Sequence, residues 1–471
     1  MPRPDRSPVS RPERSELHDT LRLALPMVLV QVGIMAMGTV DTLMVGHVSG
    51  NVLAAVALGN IYFFNISIFG VGTLMALDPL VSQAVGAGDE PSIARATQRG
   101  AILGLFIAIV TGLLLLPATA VFRLFHQPPE IVGDAASYLR ISAIGVLPFF
   151  AFVVFRQTLQ ALGRVTPIVW TIVLANLLNA ALNWVFVYGH LGAPAMLAQG
   201  SAIATAVARW AMAIALLILG RKELMPRFFP LRTGAADRVA LWSMLKLGAP
   251  IGAQQTLEIA AFGAVGLMMG VLGTRELAAH QVAITLAALT FMVPLGVGAA
   301  ASVRVGRAIG AGDAPGARAA AHAAYICGVG FMCVTALAFL FAPRLLAAMM
   351  TNDPAVVAIA ATLIPVAGVF QVFDGGQAVG AGVLRGIGDT RAPLISMLAG
   401  YWLLGLPISA WLGFRTGLRE VGLWYGFVVS LGVVAVFLLL RIRVLFGRDL
   451  RRIELVGWDR PNEASGAGRV D

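Results

Sequence analysis

At 471 residues the chain has room for more than one domain, yet 58% of it is hydrophobic and only 12% charged. Water-soluble domains carry about a quarter charged residues, so a soluble globular fold is excluded and an all-α polytopic membrane protein is expected. The formal charge of +10 invites a nucleic-acid partner, but the basic residues are distributed as membrane-insertion signals, and no nucleic acid is implied.

Residues 1–20 are polar and rich in Arg and Pro, which reads as a disordered tail ahead of the first apolar run. That run is too long for a cleaved signal peptide. About twelve apolar runs follow, near 21–45, 52–77, 98–120, 134–158, 166–189, 197–220, 245–270, 277–300, 319–341, 355–383, 393–414 and 420–446. Each is long enough, or nearly so, to cross a bilayer core of roughly 30 Å. A basic, proline-containing linker at 221–243 separates an N-terminal lobe (21–220) from a C-terminal lobe (244–447), and 448–471 reads as a second tail. With the N-terminus inside, the outer loops hold Arg123, Arg140, Arg275, Arg344, Arg415 and Arg419, and Arg209 falls within a span. The remaining Lys and Arg border inner segments. This positive-inside bias puts both termini in the cytoplasm and the basic inner loops against anionic membrane lipid.

The chain is written twice. Slid on itself by 224 residues, "LRLALP" (21–26) lies over "LKLGAP" (245–250), and "VSQAVGAGD" (81–89) over "VGRAIGAGD" (305–313). After a short insertion "LQALGRVTP" (159–167) meets "LRGIGDTRAP" (384–393). Six spans per half return the chain to the same side, so the halves are expected as two parallel, pseudo-symmetric six-helix bundles with cargo bound between them. Pro26 and Pro250 are equivalent by this register. Each removes a helical hydrogen bond and gives either a static kink or a moving hinge. "GAGD" in both halves reads as a tight turn.

Acids break the symmetry. Asp41, Glu258 and Asp374 each sit within a span, and the repeat offers no acid at the equivalent places. Glu258 lies about 18 Å along a helix from Lys246. Three uncompensated carboxylates in lipid would cost on the order of 10 kcal/mol, so they must face a cavity, bind a cation or take up protons. A site of this kind binds Na⁺ or H⁺ in competition with an organic cation, which is the physical core of antiport. Glu258 and Asp374 are candidate Na⁺ ligands. Asp78, followed by Pro79, reads as interfacial.

Polar companions cluster near these acids. Asn179 and Asn183 share a helix face, with Asn176 as a third member; they line a cavity beside Asp41 or hold helices together. Gln254 and Gln255 accompany Glu258, and Gln371 and Gln377 flank Asp374. Phe262, Met268, Met292, Phe370 and Phe373 could form an apolar cleft wall. Cys327 and Cys333 read as small buried packing residues. Six histidines are scattered without an H-E-x-x-H, and no Walker pattern is present. Neither an enzyme nor an organic cofactor is expected.

The stretches "VDTLMVGHVSGNVLAAVALG" (40–59), "LNAALNWVFVYG" (178–189), "LEIAAFGAVGLMMGVLG" (257–273), "PLGVGAAASVRVGRAIGAGD" (294–313) and "FDGGQAVGAGVLRGIGDTRAP" (373–393) resemble motifs of the multidrug and toxic compound extrusion (MATE) family. The likeness extends over about 20–445. The acids at 258 and 374 resemble its NorM-like branch. The resemblance implies two lobes arranged as a V, cation coupling through Glu258 and Asp374, an N-lobe cluster of Asp41, Asn179 and Asn183 joined by Thr205, and first-helix bending at Pro26. It implies a monomeric exporter of amphipathic organic cations in a bacterial-type inner membrane, energised by Na⁺ or H⁺ antiport. A flippase of lipid-linked saccharides, from the same superfamily, is the alternative. Phe370 stands where NorM-like transporters can carry a tyrosine one turn before the tenth-helix acid, which leaves both coupling ions open.

Overall fold

The computed structural model describes residues 13–454, and these are helical without strands. The N-lobe runs α1 (Glu13–Gly46), α2 (Gly50–Leu74), α3 (Leu77–Gly86), α4 (Glu90–Leu115), α5 (Ala118–Leu124), α6 (Pro129–Ile144), α7 (Val146–Ala161), α8 (Thr166–Phe186) and α9 (Leu197–Leu219). A short α10 (Arg221–Phe228) lies in the linker. The C-lobe runs α11 (Arg238–Leu272), α12 (Thr274–Gly310), α13 (Ala314–Phe341), α14 (Pro343–Ala348), α15 (Pro354–Ile387), α16 (Arg391–Met397), a π-helical stretch Leu398–Gly405, α17 (Leu406–Arg415) and α18 (Arg419–Phe446). Eleven helical segments suffice to cross a membrane, and the α6–α7 pair, bent by 51°, makes a twelfth. Gly145 sits at that bend and Pro148 follows it, so a missing amide donor breaks the ladder where glycine tolerates it.

The ends of the chain depart from the expected tails. Residues 1–12 and 455–471 lie outside the described residues. Helix α1 starts at Glu13, inside the stretch expected as tail. The reason is a grip from the other lobe: Arg304 on α12 pairs with Glu16 and donates to Thr20. Cys327 is half-buried and Cys333 exposed on α13, so neither is a buried packing residue; α13 turns that face outward.

The repeated "GAGD" has a physical reading. Gly88 and Gly312 adopt positive φ of 68° and 73°, closing the preceding helices as left-handed C-terminal caps. Asp89 and Asp313 then cap the next helices, accepting from Ser92 N–H at 3.0 Å and Gly316 N–H at 2.8 Å.

The lobes meet through a glycine-studded seam on the face that carries the start of α1, residues 448–454 and the linker, here called the terminal face. A Cβ on Gly86 would strike the carbonyl of Arg307, and one on Gly310 would strike that of Gln83. These two contacts exchange under the 224-residue repeat, as do Gly72 against Gly252 and Gly296 against Val28. A pseudo-twofold axis therefore runs between the lobes. Pro26 and Pro250 lie inside unbroken helices, within a turn of Val28 and Gly252. Further along the same helices Gly38 and Gly263 face open space.

Residues 448–454 form a strap from the C-lobe to the N-lobe. Arg452 pairs with Asp89 at 2.8 Å, and the Ile453 amide donates to Gln83 Oε1 at 2.8 Å. Gln83 Nε2 donates across the seam to the Gly386 carbonyl at 2.9 Å. Burial alone would raise the pKa of Asp89, but hydrogen bonds from Ser92 and Arg452 outweigh it and hold the carboxyl below its ordinary range. A depressed folded-state pKa stabilises above the unfolded value of about 3.9 and is lost as pH falls through the lower folded value. The pair is therefore fully formed at neutral pH.

Two outcomes are expected. Gly86→Val should wedge the seam open, lengthening the distance between spin labels at the exposed Ala87 and Ala311; an unchanged distance would show that the seam can absorb a side chain. Asp89→Asn should free the strap at neutral pH and speed tryptic cleavage at Arg448 and Arg451, whose side chains are already exposed. Wild-type cleavage rates would show that the strap holds without its ion pair.

Candidate functional site

The N-lobe site is built on Asp41, which is 2% exposed near the far end of α1. Asn183 on α8 donates to its Oδ1 at 2.7 Å and Thr205 on α9 donates to its Oδ2 at 2.9 Å. Asn179 approaches Thr205 Oγ1 at 3.4 Å, and its carbonyl takes the other Asn183 proton at 3.0 Å. Three helices thus converge on one carboxylate. The side-chain oxygens of Asn179 and Asn183 are buried without partners among the described residues, leaving oxygen acceptors turned into the cluster. Asn176 does not join. Its amide donates to the Gly33 carbonyl at 3.0 Å and to Ile172 at 2.9 Å, fastening α8 to α1. Tyr138, which donates to Asn60 at 2.8 Å, lies within electrostatic reach of Asp41. Arg209, one turn beyond Thr205, stacks its guanidinium over Phe63 at 3.9 Å and Phe149 at 5.5 Å, where ring faces offset its burial.

The C-lobe site joins α11, α12, α15 and the π-helical stretch. Asp374 is 5% exposed, with Oδ1 unpartnered among the described residues. Glu258 is half-buried, accepts a hydrogen bond from the Gln377 side chain, and lies within electrostatic range of Asp374. Gln377 Oε1 has no donor among the described residues, while Gln371 Oε1 accepts from Thr290 at 2.8 Å. The remaining expected cleft residues divide. Phe370 is 1% exposed and packs on Phe262, Trp424 and Phe427 at 5.6–6.0 Å, so it belongs to the C-lobe core. Phe262 packs there too, and Gln254 is buried. Gln255 reaches across to Met75 Sδ at 3.1 Å. Met292, Met268 and Phe373 are half-buried.

Tyr401 is the residue that sequence reasoning missed. It is 1% exposed, its ring lies 6.0 Å from Phe262, and it sits within electrostatic range of both Glu258 and Asp374. Its hydroxyl has no partner among the described residues. A π-helical turn shifts the register of the eleventh span, and Trp402 Nε1 anchors that turn to the Leu257 carbonyl at 3.2 Å, beside Glu258. The only signal in the sequence was the hydroxyl absent at Phe370. The cluster offers carboxylate, amide and phenolic oxygens, a donor set suited to a hard cation or a proton; among the described residues no group of three or more His, Cys, Asp and Glu could hold a metal ion.

Asp78 is not interfacial. It is fully buried in the seam, with Arg385 of the C-lobe at 3.7 Å and Gln160 at 3.3 Å, because α3 tucks its first turn under α15.

The MatE family model matches residues 26–185 and again 250–411, beginning at the equivalent prolines of the two halves. The chain belongs to the MATE family. It is 38% identical to a probable multidrug resistance protein NorM of Mesorhizobium japonicum over 439 residues, covering 91% of this chain and 94% of that one. It is 35% identical to the multidrug resistance protein PmpM of Pseudomonas aeruginosa over 463 residues, covering 97% of each. These relatives place it in the NorM-like branch, among transporters and not enzymes. The fold matches the eukaryotic MATE transporter AtDTX14 with a TM-score of 0.83 at 23% identity, over 92% of this chain and 96% of that one. An outward-facing MATE transporter of the MOP superfamily gives 0.83 at 20%, over the same shares.

Two substitutions separate bonded from unbonded hydroxyls in this MATE chain. Thr205→Val deletes a donor to a buried carboxylate and should lower stability by about 1 kcal/mol or more. Tyr401→Phe deletes a hydroxyl that bonds to nothing described and should leave the thermal midpoint unchanged. Equal destabilisation in thermal melts would mean that Tyr401 has a structural partner.

Proposed function

We propose that this transporter is a multidrug exporter of the inner membrane. It acts as a monomer with its terminal face in the cytoplasm, and exchanges amphipathic organic cations for Na⁺ or H⁺. The observation that carries the reading is the C-lobe acid pair: two carboxylates in range of each other, each within its own span, with unpartnered oxygens of Asp374, Gln377 and Tyr401 around them. Two carboxylates sharing one apolar site cannot both stay charged and empty. A small cation satisfies them, and an organic cation competes for the same charge. The multidrug resistance names of the NorM and PmpM relatives support the cargo class. Glu258, Asp374 and Tyr401 would hold the coupling cation, and Asp41 with Thr205, Asn179 and Asn183 would hold a second cation or proton in the other lobe.

Dye or fluoroquinolone efflux from proteoliposomes tests this, with Na⁺ and pH gradients imposed separately. At least one gradient should drive efflux, and that gradient names the ion. Glu258→Gln and Asp374→Asn should each reduce driven efflux to the passive leak. Wild-type rates in both variants would overturn the assignment of coupling to the C-lobe.

A further inference from the structure

Between the lobes, on the terminal-face side of Asp374, lies a partly open cavity of about 30 Å³ with a mixed polar and apolar lining. It is about 16 Å along α15 from Asp374 to Arg385 at 1.5 Å per residue. Arg156, Gln157 and Gln160 of α7 line it from the N-lobe, Gln31 from α1, and Arg385 and Gly298 from the C-lobe. Two guanidiniums face this space, and the carboxylate within electrostatic range of both is Asp78. That carboxylate is spent: it takes Arg385 at 3.7 Å and Gln160 at 3.3 Å. Arg156 is left with Gln31 Oε1 at a long 3.4 Å.

The unused groups are all donors. Arg156 Nε and Gln157 Nε2 are buried without acceptors among the described residues, on side chains 8% and 1% exposed. A water could accept from them but would leave the surplus positive charge uncompensated, and a buried unpaired charge costs several kcal/mol. An anion answers both deficits. The volume takes about two or three waters, which excludes the body of a drug molecule, and two guanidiniums set against one carboxylate leave a single surplus positive charge that matches a monovalent anion.

We propose that this cavity binds a small monovalent anion of chloride size, and that it exists only while the lobes are closed at the terminal face, because each lobe supplies one of its arginines. A ligand that binds one of two states favours that state by mass action. Chloride therefore holds the terminal face shut and must leave when it opens. The site goes beyond the export reading: it depends on the two lobes alternating but not on what they carry.

The test reads conformation without transport. Spin labels at Ala87 and Ala311 report closure of the terminal face in protein reconstituted into nanodiscs. Replacing gluconate, which is too large for the cavity, with chloride or bromide at constant ionic strength should raise the short-distance population saturably. Arg156→Gln should abolish that response and Arg156→Lys should retain it. Ala299→Leu, which fills the cavity without touching a charge, should abolish it too, and serves if the glutamine variant misfolds. Equal populations in gluconate and chloride would mean that the cavity holds water only. A halide response that survives both Arg156→Gln and Ala299→Leu would place the anion elsewhere. Either result overturns the proposal, whatever the efflux measurements show.

Discussion

Everything in this molecule hangs on the approach of two backbones. Where α3 meets the end of α12, Gly86 faces the Arg307 carbonyl and Gly310 faces that of Gln83, with no room for a methyl group on either side. In lipid there is little hydrophobic force to press helices together, so close van der Waals contact between small residues takes its place. The duplicated sequence supplies the same small residues to both partners. A twofold-related seam is the result, and the two lobes are otherwise free to diverge.

A symmetric scaffold carries asymmetric chemistry. The N-lobe site holds a single carboxylate satisfied by Asn183 and Thr205, whereas the C-lobe site holds a pair among buried polar atoms left unpartnered among the described residues. The first arrangement is preorganised around one charge. The second leaves an oxygen of Asp374 without a partner among the described residues. Between them, at the closed end, two arginines share one aspartate, so the base of the cleft is electropositive while its upper walls are acidic.

Much of this was legible in the sequence. Hydropathy gave twelve spans because lipid demands unbroken helical hydrogen bonding, and the 224-residue register gave the two bundles. Asn179 and Asn183 share a face because helix periodicity fixes it, whereas the place of Thr205 beside Asp41 was implied by the family resemblance and not by any spacing in the sequence. What escaped the reading depends on register or on partners distant in sequence. Tyr401 points inward through a π-helical turn that no residue pattern announces. Asp78 looked interfacial from its neighbours alone, and its partner Arg385 is supplied by the other half of the chain. Asn176 obeys the periodicity of Asn179, yet an open carbonyl at Gly33 claims it first. Phe370 looked like cleft wall, but three aromatic neighbours enclose it.

The strap at 448–454 also changes how the halves can move. The chain joins the lobes covalently through 221–243, and the strap joins them a second time on the same face. Two points of attachment on one face define a line, and a body fastened along a line keeps one easy rotation. Swinging the far ends of the lobes apart pivots about that line and leaves both fastenings intact. Swinging the terminal ends apart pulls directly on the strap. The transporter is thus geared unequally: it opens freely in one direction, and in the other only after letting go of its own tail.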